Sequence, residues 1–241
     1  MQWSALTYEE IGEAARSGAV ALLPIGATEQ HGPHLATGTD SIIAECAARA
    51  AAARTDDVVL PTVEYGCSLG HTAKWPGTLS LSPATLTAVV EDVGRWVHAS
   101  GFRKLVLVNA HATNAPSCGS ALLKLRHELP ELRLRLVTVW DLSDEIAAAY
   151  REDAPDFHAN AAETSIMLQV EPELVHLDRA VDEPDRTVGL IFQYAMPQTT
   201  ASGVVGAPTK STPERGAELF EAVVEALVRL LEQARAERDP L

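Results

Sequence analysis

The 241-residue chain predicts an α/β fold, a three-layer α/β/α arrangement around a mainly parallel central sheet, and three observations carry that expectation. Short, continuous apolar runs recur along the chain, as strands buried on both faces require. Longer stretches of helical periodicity separate them. Helix-start and helix-stop signals fall at the junctions, so strands and helices alternate instead of forming separate blocks.

Thr7 and Glu10 have capping-box spacing, which predicts an opening helix over residues 7–17 that Gly18 ends. The apolar run 19–25 is the first strand, and the Ala-rich stretch 41–54 is a helix with Asp40 at its N-terminus. Residues 57–61 read as a second strand. Ser82 followed by Pro83 is a cap plus first-turn proline, launching a helix to about Ser100 that Gly101 stops. Residues 104–109 form a third buried strand and 116–128 a helix, and 132–139 alternates apolar and basic residues as a strand near an edge does. Helices are expected at 161–170 and, amphipathic and starting at Thr212-Pro213, to about Arg235. The loop-rich stretch 172–213 holds a weak strand candidate at 188–194 and is expected to cover a site. With no internal repeat, low-complexity segment or composition shift, residues 1–241 read as one domain.

Composition narrows the function classes. Nineteen Lys and Arg against 33 Asp and Glu give a formal net charge of -14, which repels phosphate backbones and argues against nucleic-acid binding. Cys46, Cys67 and Cys118 lack ribbon or redox spacing and read as reduced thiols. No signal-peptide pattern and no run near 18 apolar residues is found, so no membrane association and a cytoplasmic location are expected.

The chemistry concentrates in loops that follow predicted strands, where open α/β sheets place their sites. After the first strand comes Pro24 to Leu35, closed by Asp40. Glu29 and His31 are two apart, so extended backbone points both side chains to one side, and Asp40 adds a second carboxylate. Asp is also a favoured helix cap, and Asp40 reads as cap or ligand on its own residues. The mixed oxygen and nitrogen set suits a divalent ion such as zinc or manganese. After the third strand, His111 projects to the same rim, where Asn109 and Asn114 either hold the turn or bond a substrate. In the cluster 157–165, Glu163 reads either as a first-turn helix carboxylate or as a further ligand, with His158 as proton donor or acceptor. The shaped loop 65–78 offers Ser68 and His71 to a substrate. His98, His127 and His176 read as structural, and His34 as a support behind the ligands.

Together these clusters resemble the creatininase family of metal-dependent amidohydrolases over nearly the whole chain. The long Pro-x-Gly-x-x-Glu-Gln-His-Gly-Pro-His-Leu pattern with a downstream Asp spans Pro24 to Asp40. Further matches are Trp75 to Thr78, the Asn-x-His turn at 109–111, the element 158–165, and Gly203 to Thr209 followed by Gly216. The resemblance implies that Glu29, Asp40 and His111 hold one metal and that His31 with a bridging Asp40 holds a second. It implies an α/β/α fold, a centre that activates water and polarises a carbonyl, Trp75 and Thr113 beside the substrate, and a homo-oligomer, often a hexamer. Two departures stand out. Ala112-Thr113 replaces the Tyr-Glu of creatininase proper, so the second ion is left to Glu163, to waters or to weak binding, and one or two ions per chain are expected. Gly70 stands where many relatives have Glu.

The expected activity is hydrolysis of a carbon–nitrogen bond in a small amide, cyclic ones included. Creatinine itself is disfavoured, since aromatic residues to enclose it have no clear match near Phe157. Peptidase-like trimming of a precursor peptide in cofactor or natural-product biosynthesis is the first alternative, and a non-catalytic scaffold or binding subunit the second.

Overall fold

The computed structural model describes residues 1–72 and 74–238. Four strands, β1 Ala21–Ile25, β2 Val58–Val59, β3 Lys104–Asn109 and β4 Arg133–Thr138, form one sheet in the order β2-β1-β3-β4. All neighbouring pairs are parallel. Residues alternate between the two faces of the sheet. Leu22, Val106, Val108 and Val137 enter one core, while Ala21, Leu23, Ile25, Leu105 and Leu107 enter the other.

The first core is covered by α2 Thr39–Thr55, α5 Asp144–Tyr150, α6 Ala161–Val170 and α8 Pro213–Ala236. The second lies under α1 Tyr8–Arg16, α3 Pro83–Ala99 and α4 Ala115–Glu128. The three-layer α/β/α architecture is thus as the alternation predicts. The Ala-rich face of α2 buries Ala44, Ala47, Ala48, Ala51 and Ala52, small side chains that bring this helix close to β1 and α8. A Cβ on Gly216 would lie 1.8 Å from the Ser165 carbonyl oxygen, so α6 and α8 can approach this closely only at glycine.

The Thr7–Glu10 capping box and the Ser82 cap form as read, and strand 132–139 lies at the sheet edge. Two expectations need correction. Strand 57–61 shrinks to Val58–Val59: after Leu60 N donates to Leu22 O (2.8 Å), the next donation to β1 comes three residues on, from Val63 N to Pro24 O (3.0 Å), out of the alternate-residue step of a strand. Asp57 turns away to accept hydrogen bonds from Val20 N (2.8 Å) and from Nε (2.9 Å) and a terminal nitrogen (2.6 Å) of Arg235. Residues 188–194 form no strand either. The chain turns there, with Leu190 N donating to Thr187 O and Gly189 at φ 84°, and among the described residues no strand pairs with it. A four-residue helix, α7 Met196–Thr199, follows.

The register places the site. Ile25 is level with Asn109 and Asn109 with Thr138, so β1, β3 and β4 end together and their loops leave from one rim.

Candidate metal centre

The loop after β1 passes tightly beneath the start of α2. A Cβ at Gly26 would sit 2.2 Å from Ser41 N, so only glycine lets the strand exit there. Glu29 N then donates to Thr37 O (2.8 Å), folding the loop back. His111 is held by its own turn, in which its N–H donates to Asn109 Oδ1 (3.2 Å) and Asn109 Nδ2 donates to the His111 carbonyl (2.8 Å). Asn114 ties three loops together. Its Nδ2 donates to Gly26 O (2.9 Å) and to Asn109 Oδ1 (3.2 Å), while its Oδ1 accepts from Cys67 N (2.8 Å). Of the two roles open to these asparagines, holding the turn is the one their fully buried side chains perform.

Glu163 enters from α6. Asn160 caps that helix through Ala162 N and Glu163 N, and Glu163 Oε2 reaches back to Asn160 N at 3.4 Å. Asp40 is not a cap. The helix begins at Thr39 with Gly38 as its flanking residue, and the Asp40 carboxylate points elsewhere: Oδ1 lies 3.1 Å from His31 Nε2 and Oδ2 lies 3.2 Å from His111 Nδ1.

Three groups of side chains bring ligand atoms within 4.8 Å of one another: Glu29–Asp40–His111, His31–Asp40–Glu163, and Glu29–His31–His158. All six residues are buried. Three imidazoles share an orientation. His31 Nδ1 lies 3.2 Å from Glu29 O, His111 Nε2 lies 2.9 Å from Cys67 O, and His158 Nε2 lies 2.7 Å from Gln30 O. A carbonyl only accepts, so each of these nitrogens carries a proton and the other ring nitrogen faces a carboxylate. For His158 that nitrogen is Nδ1, 3.6 Å from Glu29 Oε1.

The electrostatics match a cluster built around positive charge. Burial raises the Glu29 carboxyl to about 7 against the pull of His111, and burial raises Glu163 to about 7 against His31. Burial also works upward on Asp40, but His31 and His111 hold it well below the usual carboxylate range. Burial works downward on His31 and His111, yet Asp40 chiefly lifts the first to about 10 and Glu29 with Asp40 lift the second to about 9. Both Glu29 carboxylate oxygens and Asp40 Oδ2 are buried and accept no hydrogen bond. Orphan acceptors of this kind are expensive unless a cation satisfies them, so the donor set fits a divalent ion.

A cavity of about 790 Å³ opens above the cluster, and Glu29, Asp40, His71, His111, His158 and Glu163 form its floor. Thr113 lines it too, but its hydroxyl is engaged with His111 Nε2 (2.6 Å) and with the Cys67 carbonyl, so it braces the imidazole. Ser68 sits behind His111, with Oγ 3.4 Å from Nε2. Trp75 is half-buried with the Lys74 ammonium 4.8 Å from its ring centroid, and it is not among the residues lining the cavity. The element it belongs to contributes Thr78 instead, whose hydroxyl accepts from Gln30 N (3.0 Å). His34 is fully buried, 2.9 Å from Thr164 Oγ1, and burial followed by the charge of His31 lowers it to about 4.

Three residues at the site escaped the sequence reading. Gln30 donates to Gly203 O (3.1 Å) and reaches His71 Nδ1 (3.2 Å), and its place between Glu29 and His31 was the available signal. Trp140 lines the cavity just past the end of β4, where the strand-end rule could have found it. Arg151 also lines the cavity, bonded to Asp141 at 2.8 Å, and nothing in its neighbourhood marks it.

Comparison with known proteins places the chain among relatives. The family model for creatininase, described as creatinine amidohydrolase, matches residues 4–231. A creatinine amidohydrolase of Pseudomonas putida is 31% identical over 240 residues, covering 92% of each chain. A mycofactocin precursor peptide peptidase of Mycolicibacterium smegmatis is 30% identical over 230 residues, covering 91% of this chain and 87% of that protein. A solved creatininase in a manganese form superposes with a TM-score of 0.85 at 29% identity, covering 96% of this chain and 97% of the other.

Proposed function

We propose, since this chain belongs to the creatininase family, that it is a metal-dependent hydrolase that cleaves a carbon–nitrogen bond of an amide, with residues 1–241 acting as a single domain. The observation that carries the reading is the shared orientation of the three buried imidazoles. Histidines that ligate a metal donate their other N–H to a carbonyl or carboxylate, which fixes the tautomer. His31 and His111 donate in this way to the carbonyls of Glu29 and Cys67 and turn the other nitrogen to Asp40, while His158 donates to the Gln30 carbonyl and turns Nδ1 to Glu29.

In this reading Glu29, Asp40 and His111 hold one ion, zinc or manganese, and His31, Asp40 and Glu163 hold a second, with Asp40 common to both. Glu163 thereby takes the place that Thr113 cannot fill. An ion bound there supplies Lewis acidity and lowers the pKa of a water in its shell. The remaining work belongs to the chain. His158 is neutral, lowered well below its usual value by burial and by His31, and Gln30 O holds its Nε2–H. Its Nδ1 lone pair is therefore free on the site side to take a proton from water and hand it to the departing nitrogen. His71, held near 3 by burial and by His111, stays neutral and presents a polar edge to the substrate. Trp140 and Phe157 pack edge-on at 5.3 Å and form an apolar wall that excludes water.

Peptidase-like trimming is the second reading, and the cavity favours it. Its outer wall carries Leu190, Ile191 and Phe192, which are 56, 93 and 76% exposed, an apolar surface beyond the needs of a small polar ring. The same surface supports a homo-oligomer, for which a monomer in light scattering is the refuting result. Three free cysteines support a cytoplasmic location. Among the described residues no helix is long and apolar enough to cross a membrane.

The test is metal analysis of the purified protein together with hydrolysis assays on cyclic amides, formamides and C-terminally blocked peptides, with and without chelator. Chelator-sensitive turnover of one class is expected. No turnover in any class, or turnover indifferent to chelator, refutes the reading.

A further inference from the structure

Residues 184–199 leave the body of the protein and return to it through one neck. Glu183 and Gly206 exchange backbone hydrogen bonds of 3.0 and 2.9 Å on one side, and Arg186 N donates to Thr199 O (3.1 Å) on the other. Between these points the chain forms the outer wall of the cavity, from Asp185 to Thr199. A single carboxylate fills the neck. Glu183 Oε2 accepts from the hydroxyls of Thr200 and Ser202 (2.6 Å each) and from Ser202 N (2.8 Å). Oε1 accepts from Ala201 N (2.7 Å) and from the Arg186 guanidinium (2.6 Å). The side chain is 12% exposed, and although burial works upward on its pKa, these donors hold it at about 2. It is ionised across the neutral range.

The tip of the loop cannot hold itself. Val188, Leu190, Ile191 and Phe192 are all exposed, so little apolar burial fixes their place. The neck has to supply the order. Charge-assisted hydrogen bonds are about twice as strong as neutral ones, and here they come from both ends of the loop to one group. The tie continues inward, because Ser202 precedes Gly203, whose carbonyl accepts from Gln30 Nε2 (3.1 Å), and Gln30 also holds His158.

We propose that Glu183 is a positioning residue that sets the shape of the substrate pocket: its carboxylate locks the two ends of loop 184–199 together, fixes the apolar wall over the metal-binding floor, and so selects extended amides with apolar side chains. The selection of amides rests on the hydrolase reading above, whereas the locking of the loop does not. Glu183→Gln keeps the size of the side chain but turns one oxygen acceptor into an N–H donor, which in either orientation of the amide meets a group that only donates, Ser202 N on one side or Ala201 N and the Arg186 guanidinium on the other.

The test compares the full-length, metal-loaded protein with Glu183→Gln and Glu183→Asp. Amide hydrogen exchange is followed in peptides covering 184–199 and in control peptides covering β1 and β3, alongside metal content. In parallel, kcat and KM are measured on an extended peptide amide and on formamide. In Glu183→Gln, exchange across 184–199 is expected to speed up about tenfold or more with the strands unchanged. KM for the peptide amide is expected to rise about fivefold or more while its kcat stays within about twofold, a loss of uniform binding. Glu183→Asp, which keeps the charge on a shorter arm, is expected to recover part of both effects. Unchanged exchange in 184–199, or an acceleration spread evenly over the strands, overturns the lock. Faster loop exchange with an unchanged KM overturns the selectivity. If the wild-type protein turns over neither amide, the hydrolase reading falls on that pair, and the exchange measurement alone decides the lock.

Discussion

Replacing Glu29 by Gln should make the chelator-treated protein more stable while weakening its hold on metal. Glu29 is fully buried and neither carboxylate oxygen accepts a hydrogen bond. Burial moves its pKa from 4.5 to about 7. A carboxyl whose pKa is higher folded than unfolded subtracts from stability above the folded value, and the penalty fades as pH falls towards the unfolded value. At about 1.4 kcal/mol per pKa unit, the cost of keeping Glu29 ionised at pH 8 is ~3 kcal/mol. The amide in Gln is neutral but finds few partners, which returns ~1–2 kcal/mol. A net gain of ~1–2 kcal/mol at pH 8 is therefore expected, and at ~2–4 °C per kcal/mol for a chain of this size it is visible in a melting curve. Denaturant titrations in chelator at pH 8 and near pH 5 measure it, with the gain largely gone at the lower pH. Metal content after reconstitution should fall sharply. A variant that is less stable than wild type at pH 8 in chelator, or one that retains full metal, refutes the reasoning.

Other outcomes follow from the same geometry. Asn114→Ala removes three buried hydrogen bonds that join the loops after β1 and β3 to Cys67, and should lower stability by ~2–4 kcal/mol in urea unfolding. His158→Ala should cut kcat by roughly 10²–10⁴-fold, as removal of an acid–base group does, with metal content retained; simultaneous loss of metal would make His158 a ligand instead. Asp57→Ala strands Val20 N and the Arg235 guanidinium beside a buried strand, and should cost ~3–5 kcal/mol in the same unfolding assay.

Much of this architecture was legible because its determinants are local. Apolar runs that fill both faces of a strand, the Thr7–Glu10 box and the Ser82-Pro83 start each act within a few residues, and each forms as read. The strand-end rule gathered Glu29, His31 and His111 correctly at one rim, since it needs only the order of the strands. What was illegible depends on partners far along the chain. Asp40 has the sequence context of a cap, and only the arrival of His31 and His111 turns its carboxylate inward. Trp75 lies in a motif whose useful side chain is Thr78, and no local pattern distinguishes the two. The strand candidate at 188–194 has suitable residues but, among the described residues, no neighbour to pair with, and pairing is not a property of a segment. Glu183 could not have been picked out at all, because its five donors lie three residues on and again across a loop at 200–202.

The narrow neck at Glu183 also bears on how such a protein can diverge. The stretch between residues 187 and 195 can be exchanged, lengthened or recoloured chemically without disturbing a strand, a core side chain or a floor ligand, provided the two ends still meet through Arg186 and Thr199. Hydrolytic chemistry and molecular choice are thereby housed in separately mutable parts. A lineage can change what it accepts by rewriting the exposed positions of this loop, while the reaction centre is inherited intact.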